Sequence, residues 1–180
     1  NYFSMVYGKA AWLFQYLYGY LGPETFDSAM QQFYQQYQFQ HPGPADLQRS
    51  FQQVTKDSLN WFFEDLMLEG RQLDYAVKGF ANKDQTRIRV ANEGQVAGPV
   101  LVSLFRKEAL VAKKWVEGFE GGQTIRLPDA AFDKVKINSF QWVPEHNYRN
   151  NTLFSTATKN WLDPLSTNVL VNPEFPGSNE

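Results

Sequence analysis

The chain has 180 residues, a formal net charge of −2 and no cysteine, and 43% of its residues are hydrophobic. This length suits one large domain or two small ones. The lack of cysteine excludes disulfides, thiolate metal sites and a cysteine nucleophile. The near-neutral charge, with both signs interspersed, argues against a nucleic-acid partner.

The first predicted helix lies within residues 5–22 and is apolar on every face. Such a helix is expected to be buried on all sides. Lys9, Gln15 and four tyrosines make the run too polar for a membrane span, which needs about 20 mostly apolar residues, so we expect no span in this chain. The pair Gly22-Pro23 is expected to end this helix and begin the next.

Three more helices are predicted before residue 72. The second is amphipathic, with glutamines on its outer face, and "HPGP" at 41–44 separates it from the third. The fourth, "WFFEDLML", could be capped by Ser58 or Asn60. The predicted apolar faces of the three are Phe26, Met30, Phe33 and Tyr37; Leu47, Phe51 and Val54; and Phe62, Phe63 and Leu66.

Beyond Gly70 the hydrophobic period changes from that of a helix to that of a strand. The segments "TRIRV", "PVLVSLF", "LVAKKWV", "TIRL" and "KVKIN" each predict a strand. Their spacing of about 10–12 residues favours an antiparallel sandwich. The "GFEGG" run at 118–122 is expected to be a hairpin turn rather than a phosphate-binding loop.

The predicted fold class is therefore α+β in two domains. Residues 1–72 form a helical domain and residues 73–143 a small antiparallel β-sandwich. Residues 144–180, which are rich in asparagine and proline, are expected to be a mostly irregular tail.

Candidate catalytic groups are sparse. His41 and His146 fall in different predicted domains and have no close-spaced histidine partner, so we expect no metal in this chain alone. Glu64 and Asp65 are adjacent on a helix and point in different directions, which favours a solvated face. Asn150, followed by Asn151-Thr152, matches a glycosylation acceptor, a pattern short enough to arise by chance.

The stretch "NYFSMVYGKAAWLFQYLYGYLGPETFDSAMQQFYQQY" resembles a late catalytic-domain segment of the M1 family of zinc aminopeptidases, the gluzincins. In that family a Tyr-x-Lys-Gly/Ala run opens a buried helix that ends in Leu-Gly, and a helix bearing a phenylalanine follows. The matching residues here are Tyr7-Gly8-Lys9-Ala10, Leu21-Gly22 and Phe26. The resemblance is close over residues 2–68 and looser over about 75–150.

Three features depart from the family pattern. Gly8 stands where the family usually has an acidic residue, and Leu66 replaces an expected aromatic residue. The zinc-binding H-E-x-x-H segment and its later glutamate ligand, which precede the tyrosine in the family, are absent from this sequence. We therefore expect the chain to be a C-terminal fragment of a larger metallopeptidase.

The resemblance implies the end of a thermolysin-like catalytic domain followed by a small β-sandwich. It implies zinc in the full-length parent and none in this chain, with a peptide substrate and the missing N-terminal part as partners. Tyr7 would donate a hydrogen bond to the oxyanion formed on the scissile carbonyl, a role that suits a phenol with a pKa of about 10. Tyr2 matches a second active-site tyrosine of some members. The chain alone would be inactive.

The alternative is a non-catalytic binding module made of helices and a β-sandwich, or an inactive M1 relative. The aromatic and asparagine residues would then serve protein or sugar recognition. Cytoplasmic, periplasmic or secreted, and membrane-associated locations are all compatible with this sequence.

Overall fold

The computed structural model describes residues 8–82 and 86–155. Over this part the chain is mixed α+β, with α-helices, a π-helix and two antiparallel sheets, which confirms the predicted class at this coarse level. The chain divides into two compact units. We call residues 1–71 with 142–144 the helical unit, and residues 72–141 with 145–180 the β unit.

The described part of the helical unit contains three α-helices followed by a π-helix. Their bounds are α1 Ala10–Leu21, α2 Pro23–Tyr37, α3 Pro44–Thr55 and the π-helix Trp61–Leu68. Gly22 ends α1 with a φ of 80°, a conformation that favours glycine, and prolines occupy the first turns of α2 and α3. The helix breaks predicted at Gly22-Pro23 and at "HPGP" are confirmed.

The expectation that α1 is buried on all sides is wrong. Leu13, Tyr16 and Leu17 are buried, but the side chain of Trp12 is 60% exposed and that of Tyr18 is 41% exposed. The reason is that α1 packs through one stripe only, whereas hydrophobicity alone does not reveal which faces of a helix find neighbours. Among the described residues, no helix has the combination of length and apolar character that crossing a membrane requires.

The core of the helical unit is aromatic. Phe51 of α3 is fully buried, with ring centroids 5.4 Å from Phe26 and 5.9 Å from Phe63. Phe62 and Phe63 meet edge to face at 4.9 Å, an arrangement that aligns the positive ring edge with the negative ring face. The predicted burial of Phe62, Phe63 and Leu66 is confirmed.

Helix α2 is half exposed, as predicted, because most of its glutamines face solvent. Met30, which was predicted to face the core, is exposed, and Ala29 is the buried residue of this helix instead. Asn60 precedes the π-helix but makes no capping hydrogen bond, so the predicted side-chain cap at Asn60 is wrong.

The described part of the β unit contains seven strands. Their bounds are β1 Tyr75–Asn82, β2 Thr86–Asn92, β3 Val100–Arg106, β4 Ala109–Val116, β5 Gly122–Leu127, β6 Lys134–Ile137 and β7 Thr152–Phe154. One sheet has the order β1-β2-β5 and the other the order β4-β3-β6-β7, with every pairing antiparallel. The five predicted strands are confirmed as β2 to β6.

Two strands and one connection differ from the sequence-based expectations. No strand was predicted for β1 or for the short β7. The run 118–122 is not a hairpin turn, because it joins β4 to β5, which lie in different sheets. Gly118 is needed there for close approach, since a Cβ atom at this position would lie 1.7 Å from the carbonyl oxygen of Ala97.

Candidate functional site

Tyr7 and Tyr2, the two predicted site residues, lie outside the described residues. The first described residue is Gly8, where the backbone is already helical. Lys9 has right-handed helical dihedral angles, φ −64° and ψ −45°, and leads directly into α1. The motif that carries the family resemblance is thus described only from its second residue onward.

The lysine of this motif lies at the far end of the π-helix. A Cβ atom at Gly70 would be 3.4 Å from Nζ of Lys9, and Gly70 stands two residues after Leu68, the last residue of the π-helix. A cation at the C-terminal end of a helix is favourable, because the last carbonyl groups carry partial negative charge. The start of α1 therefore lies close to the end of the π-helix at this point.

One face of α1 presents large side chains to solvent. Trp12, Gln15 and Tyr18 follow one another at intervals of three residues and are all exposed. This spacing places neighbours on one side of a helix. Tyr18 also meets the ring of Phe26 edge to face, at 5.3 Å between centroids, so its ring is held in place.

The described residues offer no zinc site. No group of three or more His, Asp or Glu side chains among them could hold a metal ion. His41 and His146 are both exposed and belong to different units. Glu64 is exposed, and Asp65 pairs with Arg71 at 2.9 Å, so the two carboxylates do not face one site.

A polar cluster in the β unit, buried except for the half-buried Asn150, was not predicted. It consists of Asp74, Glu145, Asn150 and Asn151, and we call it the Glu145 cluster. Nδ2 of Asn151 donates a hydrogen bond to Oε2 of Glu145 at 2.6 Å, and Nδ2 of Asn150 donates to Oδ1 of Asp74 at 3.2 Å. Nδ2 of Asn150 also donates to Oε2 of Glu93 at 3.0 Å, so the acceptor nitrogen of the glycosylation pattern is already engaged.

Burial dominates the electrostatics of this cluster. It raises the pKa of Glu145 from 4.5 to about 8, opposed by the hydrogen bond from Asn151 and assisted by the nearby charge of Asp74. The pKa values of Tyr75 and Tyr148 are also raised, chiefly by burial and further by the negative charge of Glu145. Glu145 is therefore mostly protonated at neutral pH, which is unusual for a carboxyl group.

Backbone hydrogen bonds hold the segment 145–151 in place. The N–H of His146 donates to the carbonyl of Leu73 at 2.8 Å, and the N–H of Val77 donates to the carbonyl of Asn150 at 3.0 Å. Oδ1 of Asn147 accepts from the N–H of Arg149, a local turn that asparagine favours. The segment thus runs beside the start of β1 without forming a regular strand.

Several oxygens of the cluster lack partners within the described chain. Glu145 and Asn151 are 7% and 2% exposed, and yet Oε1 of Glu145 and Oδ1 of Asn151 have no hydrogen-bond partner. Buried polar atoms are nearly always paired, so these atoms call for an explanation. A single glutamate in an asparagine-rich stretch is normally expected at the surface, and the run "EHNYRNN" predicted an irregular segment rather than a buried network.

No protein-family model matches the chain, and no curated protein matches it either.

Proposed function

We propose that this chain is the part of an M1-family zinc aminopeptidase that carries the oxyanion-stabilising tyrosine. The observation that supports this most is the order of elements after Tyr7. Helical backbone is present from Gly8, α1 ends at Leu21 before Gly22, and the next helix carries Phe26. The resemblance requires the same order.

In this proposal Tyr7 acts as a hydrogen-bond donor. Attack on the scissile carbonyl places negative charge on its oxygen, and a donor positioned for that charge stabilises the transition state more than the substrate. A phenol can donate at neutral pH without ionising, because its ordinary pKa is about 10. Tyr2 is a secondary candidate for the same site.

Zinc would be bound by a part of the protein that is not in this sequence. The described residues do not fit a zinc site, since their two histidines lie in different units and no acidic or histidine group can hold a metal. When bound in the parent, zinc would polarise the carbonyl and activate water. The contribution of this chain would be Tyr7 and the helices that support it.

We further propose that the two sheets of the β unit pack as a sandwich, the second domain of the predicted architecture. Alternating burial supports this arrangement. In β2, Ile88 and Val90 are buried and Arg87 is exposed, and in β6, Val135 and Ile137 are buried. Each sheet thus has an apolar face to cover.

A second candidate function is a non-catalytic interaction module or an inactive relative. The exposed Trp12 and Tyr18 favour it, because large exposed aromatic side chains on one helix face are typical of binding surfaces. In this candidate Tyr7 would be a structural aromatic residue.

The test is a peptidase assay on the complete protein of which this chain would be a part. We expect release of N-terminal residues from free peptides, no cleavage of the same peptides after N-acetylation, and loss of activity on chelation that added zinc restores. The chain expressed alone should be inactive. A complete protein that binds zinc stoichiometrically but cleaves no peptide would contradict the proposed activity and favour the second candidate.

A further inference from the structure

The Glu145 cluster contains two planar groups, the carboxyl group of Glu145 and the side-chain amide of Asn151, which share one hydrogen bond. Nδ2 of Asn151 donates to Oε2 of Glu145 at 2.6 Å, while the other oxygen of each group, Oε1 and Oδ1, is buried without a partner. Two unpartnered acceptors cannot satisfy each other. One proton between them would satisfy both, because a protonated carboxyl group gains an O–H donor.

We propose that Glu145 carries a proton on Oε1 and binds Asn151 through two hydrogen bonds, forming a proton-dependent latch that holds segment 145–151 against β1 and β6. In this pair Asn151 donates from Nδ2 to Oε2, and Glu145 donates from Oε1 to Oδ1. Loss of the proton to water breaks the second bond and leaves a buried carboxylate facing an amide oxygen.

The surroundings favour the neutral form. Burial disfavours charge on Glu145, and the nearby carboxyl group of Asp74 disfavours it further. Tyr75 and Tyr148 face the same group from β1 and from the segment itself, with Tyr148 also accepting a hydrogen bond from the N–H of Glu145 at 3.2 Å. The side chain of Asn138 and the backbone of Tyr75 act in the opposite direction and lower the pKa of Glu145.

The latch would act on a defined piece of the fold. Segment 145–151 is bonded to Leu73, just before β1, and to Val77 of β1. The carbonyl of Asn151 accepts a hydrogen bond from the N–H of Ile137 at the end of β6 at 2.9 Å. Strand β7 starts at the next residue, Thr152. Weakening the pair therefore loosens the attachment of both the segment and β7.

The direction of the pH effect follows from linkage. The pKa of Glu145 is raised from 4.5 to about 8, so between these values the closed latch holds a proton that the open segment releases. The latch is therefore fully stable below the lower value and weakens as pH rises, by about tenfold in the opening constant per pH unit, up to the higher value. Above that value the opening constant levels off.

The test combines a titration with hydrogen exchange on the full chain. Carbon-13 NMR of the Glu145 side-chain carboxyl group, assigned by its absence in Glu145→Gln, should show a titration midpoint near pH 8. Amide protection at Val77, Ile137 and His146 should fall about tenfold per unit between about pH 5.5 and about pH 7.5 in the wild type. In Glu145→Gln, whose neutral amide can make both hydrogen bonds, protection should be independent of pH.

The control variant is Glu120→Gln, which neutralises an exposed glutamate and should behave as the wild type does. Three results would overturn the proposal. One is titration of Glu145 in the ordinary carboxyl range, which needs no variant to fold. Another is the same pH dependence of exchange in the wild type and in Glu145→Gln. The last is protection conferred on the wild type by millimolar calcium, since a cation would then occupy the place assigned to the proton.

Discussion

The helical unit and the β unit bury different kinds of side chain. Among the described residues, eight polar or charged side chains are buried, and Ser50 is the one that belongs to the helical unit. Its hydroxyl simply donates to the carbonyl of Asp46 one turn earlier, at 3.1 Å. The β unit buries the other seven, including two carboxyl groups, Asp74 and Glu145.

This difference separates what each unit depends on. Stability of the helical unit should follow the volume and shape of its aromatic side chains, because dispersion and apolar burial are its main favourable terms. Stability of the β unit should also follow hydrogen-bond pairing and protonation, because unpaired buried polar groups are costly. Substitutions can test each dependence separately.

The largest expected effect is in the aromatic core. Phe51→Ala removes a fully buried ring that contacts Phe26 and Phe63, and should lower the free energy of unfolding of the helical unit by about 3–5 kcal/mol. Urea denaturation followed by hydrogen exchange of peptides from each unit would measure it. Phe39→Ala, at a residue 98% exposed, is the control and should change stability by less than about 0.5 kcal/mol. Equal losses in the free energy of unfolding for both variants would show that the aromatic core does not dominate the stability of this unit.

Adding a methyl group at Gly118 should destabilise the β unit nearly as strongly. Gly118→Ala places a Cβ atom 1.7 Å from the backbone oxygen of Ala97, which cannot rotate away as a side chain could. We expect a loss of about 3 kcal/mol in the free energy of unfolding of the β unit. The same denaturation experiment would measure this loss. Gly121→Ala is a less informative control, although the position is open, because the φ of 67° at Gly121 would itself strain an alanine. Wild-type stability of Gly118→Ala would show that the connection to β5 does not approach Ala97.

A smaller loss is expected when one hydroxyl group is removed from the β unit. The Tyr75 hydroxyl donates to the carbonyl of Gly98 at 2.7 Å in a buried position. Tyr75→Phe leaves that carbonyl unpaired and should cost about 1–3 kcal/mol. Thermal denaturation should detect this, with Tyr34→Phe on the exposed side of α2 as the control that leaves stability unchanged. If Tyr75→Phe leaves the melting temperature unchanged, the pairing of buried hydrogen-bonding groups is not what distinguishes the β unit.

The smallest effect concerns a surface ion pair of the helical unit. Arg71 pairs with Asp65 at 2.9 Å and with Glu69 at 2.7 Å, and all three side chains are partly exposed. Arg71→Gln should cost less than about 1 kcal/mol, and the cost should shrink at high salt. Denaturation at two salt concentrations would check this. A large loss that persists at high salt would contradict this prediction, because it would mean that Arg71 contributes through packing or hydrogen bonding rather than through a screened surface ion pair.

The comparison also shows what the sequence could reveal. Proline and glycine located the break between α1 and α2 and the break between α2 and α3, because their backbone effects are local. Alternating residues located β2, β4, β5 and β6, and a mostly apolar run located β3. Strand β1 was not predicted, because Ala76, Lys78 and Gly79 interrupt its apolar pattern. The pairing of β5 with β2 rather than with β4 depends on contacts between distant residues, which a local pattern does not contain. The burial of Glu145 depends on such contacts too.

The candidate site divides in the same way. The Tyr-x-Lys-Ala run and the helices after it could be recognised from residue types and spacing. The neighbourhood of Lys9 at Gly70 could not, because it joins residues at opposite ends of the helical sequence. The geometry around Tyr7 remains a prediction, since Tyr7 lies outside the described residues.

The most direct test of the proposed function is the turnover number of Tyr7→Phe in the complete, zinc-loaded protein. The matched control is Tyr34→Phe, which removes the same hydroxyl group from an exposed position on α2. We predict that Tyr7→Phe lowers turnover by about 10²–10³-fold, with zinc content and melting temperature unchanged, and that Tyr34→Phe has no effect. Wild-type turnover in Tyr7→Phe would remove this tyrosine from catalysis and contradict the proposal.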